Sequence, residues 1–137
     1  MREILFRGKD FSGVINHSWC FGSLDTTEDD RAIIIYLDRF ENKCQILVNP
    51  ETVGQYTGLK DKNGTKIFEG DIVDVLYDVN YIGIAAERIG VFEVVFHNGC
   101  FMKQKGGVRY HFIPSDKCTV IGNIYDNHEL LEGDGSA

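Results

Sequence analysis

The chain has 137 residues, 43% of them hydrophobic, with nine Phe and six Tyr. This is material for one domain with a real core, and it is too apolar for disorder. A net charge of -7 lacks the basic balance with which nucleic-acid binders neutralise phosphate, and it argues against nucleic acid as the partner.

Residues 1–7 carry charges with no long apolar run behind them, so no signal peptide is expected. The longest uninterrupted apolar stretch, residues 32–37, is far too short to span a bilayer. The expected location is the cytoplasm, where cysteines stay reduced. Cys20, Cys44, Cys100 and Cys118 form no CxxC spacing, so neither a zinc ribbon nor a thioredoxin-like motif is encoded.

Period-two runs between turn residues dominate and long helical patterns are absent. Residues 3–7 read as a first strand. Residues 14–24 contain a second, with Trp19 and Phe21 on one face. Residues 25–30 (DTTEDD) form an acidic surface loop, residues 31–37 an Ile-rich strand, and residues 43–48 its hairpin partner. Asn49 before Pro50 and Glu51 signals a cap and a short helical turn, which Gly54 ends. Asn63-Gly64 predicts a two-residue hairpin loop that sets Asp61 opposite Lys66 and Leu59 opposite Phe68.

Residues 71–77 read as another strand and residues 78–87 as a long loop. The strongest hairpin has Asn98-Gly99 between residues 91–97 and 100–104. Its register pairs Phe96 with Phe101 and places Phe92, Val94 and Phe96 on one core-facing surface. Residues 108–113 and 118–121 supply the last strands, residues 127–131 a capped helical turn, and residues 132–137 a tail. A Gly between Glu69 and Asp71, where two strand-like runs meet, suits the corner of a small barrel.

Residues 52–73 (TVGQYTGLKDKNGTKIFEGDIV) resemble the signature of the YopX family. Phe6-Arg7-Gly8-Lys9 with Trp19 to Leu24, and Val120 to Asn127 with Glu129-Leu130-Leu131, resemble its opening and closing patterns. Two positions depart from the family: His128, where Pro is frequent, and Cys20, where an aliphatic residue is common. The resemblance implies a small phage or prophage protein, mainly β with short helical turns, and with an SH3-like β-barrel in its C-terminal part. It implies one YopX-like domain over 1–137, divided into an N-terminal β subregion (1–50), a barrel subregion (51–131) and a tail (132–137). It supplies no activity and no catalytic residues. The motif positions Thr57, Gly58, Asp61, Gly64, Glu69, Gly70, Asp71, Gly122 and Asn123 are expected to be structural.

Three polar pairs invite a chemical reading. His97 and Cys100 are cross-strand neighbours, which would suit a nucleophile and its base or half a metal site, yet hairpin geometry alone explains their proximity. His111 and Cys118 match no standard ligand spacing. Glu69 and Asp71 would share a face of an extended strand, although a carboxylate at a turn commonly accepts loop amides instead. Trp19, Phe21, Tyr56, Tyr77 and Tyr81 are candidates for a binding groove, with Trp19, Tyr56 and Tyr81 foremost and Tyr81 the most exposed.

No catalytic residue, metal or cofactor is therefore assigned, and no enzyme is expected. The leading expectation is a non-catalytic module binding a host or phage protein, away from membranes. A nucleic-acid-binding barrel is the runner-up, and an enzyme using His97/Cys100 or Glu69/Asp71 comes third. The run at residues 31–37 would favour homo-oligomers if it lay at a sheet edge.

Overall fold

A computed structural model describes residues 3–77, 87–111 and 113–132. The fold is mainly β, with antiparallel sheets and little helix. The chain forms two compact units, residues 1–56 and residues 57–137.

In the first unit β1 (Phe6–Lys9), β2 (Trp19–Thr26), β3 (Ala32–Leu37), β4 (Lys43–Val48) and the start of β5 (Gly54–Lys60) lie in the order β4-β3-β2-β1-β5. Branched and aromatic side chains alternating along these strands bury Cys20, Ala32, Ile34, Ile46 and Val48, with Phe6, Leu24, Tyr36 and Val53 packed around them. Close packing dictates Gly22, because a Cβ there would stand 2.1 Å from the Ile35 carbonyl oxygen. Asn49 caps the 3₁₀ turn Pro50–Thr52 by accepting the Glu51 amide, as its sequence signal predicts. β3 lies between β2 and β4, so the Ile-rich run is no edge, and the edge argument for self-association loses its premise.

The loop after β1 is organised by Asp10, which is 2% exposed. Its carboxylate accepts the amides of Ser12 and Ile15, at 3.0 and 2.8 Å, and the Ser12 hydroxyl at 2.7 Å. Burial alone would raise this carboxyl's pKa, but the hydrogen bonds from Ile15, Ser12 and His17 outweigh it and hold the value below the ordinary aspartate range.

In the second unit β5 ends and β6 (Lys66–Phe68) follows. A five-stranded sheet then runs β10-β9-β8-β7-β11, from β7 (Asp71–Tyr77), β8 (Glu87–His97), β9 (Cys100–Lys105), β10 (Val108–Tyr110) and β11 (Cys118–Asn123). Its strand pairing among the described residues is open, so closure into an SH3-like barrel is not shown. Ile67, Val73, Val75, Phe92, Val94, Ile113 and Cys118 form the core. The last short element is α1 (Glu129–Glu132).

The β8–β9 hairpin has the register expected from its sequence, with His97 paired to Cys100 and Phe96 to Phe101. Asn98 and Gly99 both adopt positive φ, 50° and 79°. One expectation fails here. Phe92 and Val94 are buried, but Phe96 is 51% exposed, because the hairpin runs past the end of the core and Phe96 leans on Phe101 instead.

The β5–β6 loop also departs from the two-residue reading. The Asp61 amide donates to the Thr65 carbonyl, so three residues form the loop and Asp61 does not face Lys66. Gly64 alone of the loop takes positive φ, 84°. The competing chemistry was the Asp61 side chain, which accepts the Asn63 and Thr65 amides, both at 2.9 Å, and so favours the wider three-residue loop.

Gly99 has open space around it, so replacement by Val tests backbone strain without a clash. Gly99→Val should lower unfolding free energy by roughly 1–3 kcal/mol, read from a shifted denaturation midpoint. An unchanged midpoint would contradict the turn assignment.

Candidate functional site

The segment Glu69-Gly70-Asp71 turns the chain from β6 into β7. Gly70 sits at φ 92°, a region closed in practice to residues with a Cβ. Its amide donates to the Val94 carbonyl at 2.8 Å, and its carbonyl accepts the Ile124 amide at 2.9 Å. This kink cancels the period-two alternation that would have put Glu69 and Asp71 on one face. Asp71 is 2% exposed and accepts the Phe68 amide at 2.7 Å. Glu69 instead lines a polar cleft.

That cleft, of about 340 Å³, gathers Glu69, Glu93, His97, Gln104, Arg109 and Tyr125. Glu93 and His97 are four apart on β8 and so share a face. Gln104 lies directly opposite Glu93, and Arg109 directly opposite Gln104, which makes a polar row across three strands. Burial pushes the Glu93 carboxyl above its usual range, partly offset by His128. Two carboxylates, an imidazole, an amide and a guanidinium around one hollow can accept a cation and hydrogen-bond a polar backbone. Sequence reasoning reached Glu69 and His97 but missed Glu93, Gln104, Arg109 and Tyr125. The alternation of β8 carried the signal, since a strand burying Phe92 and Val94 turns Glu93 to the opposite face.

His97 and Cys100 stay together as cross-strand partners, and the other two pairs are separated. His97 lines the cleft, whereas Cys100 is exposed outside it. Cys118 is buried, with its thiol pushed up to about 11 by burial and the nearby Asp61 and Asp116 carboxylates. His111 is exposed and lines a separate hollow with Thr57, Leu59 and Asp116. Among the described residues no group of three His, Cys, Asp or Glu side chains is placed to hold a metal ion.

Of the aromatic candidates, Tyr56 is 6% exposed and belongs to the core, so it cannot line a groove. Trp19 is half-buried under cations, with the Arg7 guanidinium 4.5 Å and the Lys9 ammonium 5.7 Å from its ring. Phe21 is 48% exposed. Tyr81 and the side chain of Tyr77 lie outside the described residues.

The remaining motif positions shape the backbone. Thr57 donates its hydroxyl to the Ile67 carbonyl at 2.8 Å, and Gly58 follows at φ 88°. Asp61 is buried and reaches the Val120 amide at 2.9 Å, and Gly64 closes its loop. Near the chain's end the Asn123 side chain accepts the Tyr125 and Asp126 amides, at 3.0 and 2.9 Å. The Asn127 side chain crosses Gly122 so closely that a Cβ would meet its oxygen at 2.5 Å.

Asp71 separates a structural motif from a binding motif. Asp71→Ala leaves the buried Phe68 amide without this acceptor, at a cost of roughly 1–3 kcal/mol, while Asp71→Asn keeps an oxygen and should be milder. Thermal melts should show the Ala variant clearly lower and the Asn variant between. An Ala variant as stable as the parent would refute the structural role.

Among the described residues no helix is long and apolar enough to cross a membrane. A search of curated proteins found no match. Two solved structures are similar. Protein EF1440 from Enterococcus faecalis has 23% identity and a TM-score of 0.54, over 96% of this chain and 99% of that one. The YopX protein of Bacillus subtilis has 17% identity and a TM-score of 0.57, over the same shares. At these identities the likeness concerns the fold. A family model described as YopX protein matches residues 6–132, nearly the whole length, in agreement with the resemblance of the central motif. The chain belongs to the YopX family.

Proposed function

We propose that the chain is a phage or prophage accessory protein that acts in the host cytoplasm as a non-catalytic protein-binding module. Its contact site is the polar cleft of the second unit, which takes a basic side chain of the partner. The observation that carries this reading is the placement of Glu69 and Glu93 around one hollow in a chain of net charge -7. Arg109 and Gln104 at the same hollow are donors for a partner's carbonyl or carboxylate. The acidic surface would also accelerate encounter with a basic partner. The SH3-like barrel that the family resemblance implies fits this use, since such barrels commonly bind peptides in grooves.

A non-catalytic role is supported by the use of the Asp71 carboxylate on the buried Phe68 amide, away from the cleft that Glu69 lines. The test is capture from a bacterial host lysate, with and without nuclease, comparing the parent with a Glu69→Gln/Glu93→Gln variant. A protein partner should survive nuclease and fall at least tenfold with the double variant, about 1.4 kcal/mol or more of binding free energy. Capture abolished by nuclease would favour the nucleic-acid reading. Capture indifferent to both glutamates would remove the cleft from the interface.

A further inference from the structure

The first unit carries a second surface that the cleft does not explain. The loop following β1 displays Phe11, 60% exposed, and Val14, 78% exposed. An exposed loop of this kind would ordinarily collapse or vary, yet here it is fixed. The buried Asp10 carboxylate gathers the Ser12 and Ile15 amides, and the His17 imidazole Nδ1 lies 2.9 Å from the Asp10 carbonyl oxygen. Asn16 and His17 are both held at φ 57°, a left-handed conformation uncommon for residues with a side chain. Backbone pairing continues the restraint, with the Phe11 amide donating to the Leu47 carbonyl at 2.9 Å. The backbone that carries Phe11 is thus held in place, which lowers the ordering cost on binding.

Beside it lies an apolar hollow of about 300 Å³, lined by Phe11, Leu47, Val48 and Pro50 and bounded by Asp30 and Arg31. That volume suits one large aliphatic or aromatic side chain. The hollow's edge carries Asp30 and Arg31, within a stretch, residues 25–31, that is net acidic. Asp25 near the end of β2 and Glu28, Asp29 and Asp30 in the loop after it are all exposed, and Arg31, the only cation among residues 25–31, is bound to Asp29 at 3.0 Å. Asp30 itself is held at φ 63° and lines the hollow.

We infer that this hollow is a docking site for a partner protein's segment in which a Leu- or Phe-like side chain is flanked by lysine or arginine. The apolar side chain seats against Phe11, Leu47, Val48 and Pro50, and the flanking cation meets Asp30 and its acidic neighbours. Apolar seating supplies the affinity, and the acidic edge selects the basic flank and excludes an acidic one. This site stands in a different unit from the cleft and does not depend on it.

The probes are two acetylated, amidated hexapeptides with a central Leu, one flanked by Lys and one by Glu, titrated into the labelled full chain by NMR. The Lys-flanked peptide should shift the Phe11, Leu47 and Val48 amides saturably. Phe11→Ser removes the seat, and Asp30→Asn removes the charge while tolerating positive φ. Each should weaken the response at least fivefold without altering the rest of the spectrum. Absence of saturable shifts, equal response to the Glu-flanked peptide, or shifts confined to residues of the Glu69/Glu93 cleft would overturn the inference. Dilution-dependent shifts at Phe11 without peptide would assign the hollow to a second copy of the chain and overturn it as well.

Discussion

The second unit depends on one carboxylate. Asp61 spends its oxygens on three backbone amides. Oδ1 takes Asn63 and Thr65 and fixes the β5–β6 loop, while Oδ2 takes Val120 and fastens that loop to β11. The adjacent Lys62 amide donates to the Cys118 carbonyl at 3.1 Å. β11 is the terminal strand of its sheet and would otherwise present open backbone groups along one side. Asp61 supplies an acceptor where no further strand follows among the described residues, across 59 residues of sequence. Val120 meanwhile joins Phe101 around the buried core. The polar cleft inherits this order, because Tyr125 and Ile124 follow directly from β11.

Asp10 repeats the device in the first unit, so two loops are built around buried aspartates rather than around apolar contacts. Burial opposes ionisation at Asp61, but the hydrogen bonds from Val120, Thr65 and Asn63 prevail and lower its pKa. A depressed carboxyl contributes stability that is complete above its unfolded value and is lost as pH falls through its folded one. At Cys118 burial and charge act in the same direction. Burial and the Asp61 charge both disfavour a thiolate, so this thiol is a core hydrophobe rather than a nucleophile.

Local chemistry was legible wherever it was decided locally. Alternation located β3 and β4, Asn49 announced its cap, and Asn98-Gly99 set both the turn and the register of β8 and β9. Where the reading failed, the deciding fact lay outside the local sequence. Asn63-Gly64 resembles the same two-residue turn, but Asp61 draws it into a three-residue loop that answers to Val120. The corner at Gly70 and a carboxylate accepting a nearby amide were both legible, but not the partners Val94 and Ile124 that the bend meets. Phe96 reads as core because sequence does not reveal where the core ends. The cleft was half legible, since Glu69 and His97 stood out, whereas Glu93, Gln104 and Arg109 become neighbours only through strand order.

The link from Asp61 to Val120 fastens the β5–β6 loop to β11, and Asp61→Asn isolates it. An amide side chain keeps one oxygen for Asn63 and Thr65 but turns a donor toward the Val120 amide, itself a donor. Amide hydrogen exchange on this variant should show Val120 protection falling at least tenfold while Thr65 keeps most of its own. Stability should drop by roughly 1–3 kcal/mol, the cost of a partly buried amide set against a second donor. If Val120 stays as protected as in the parent and the melting temperature does not move, the carboxylate is not what fastens β11, and the central claim is wrong.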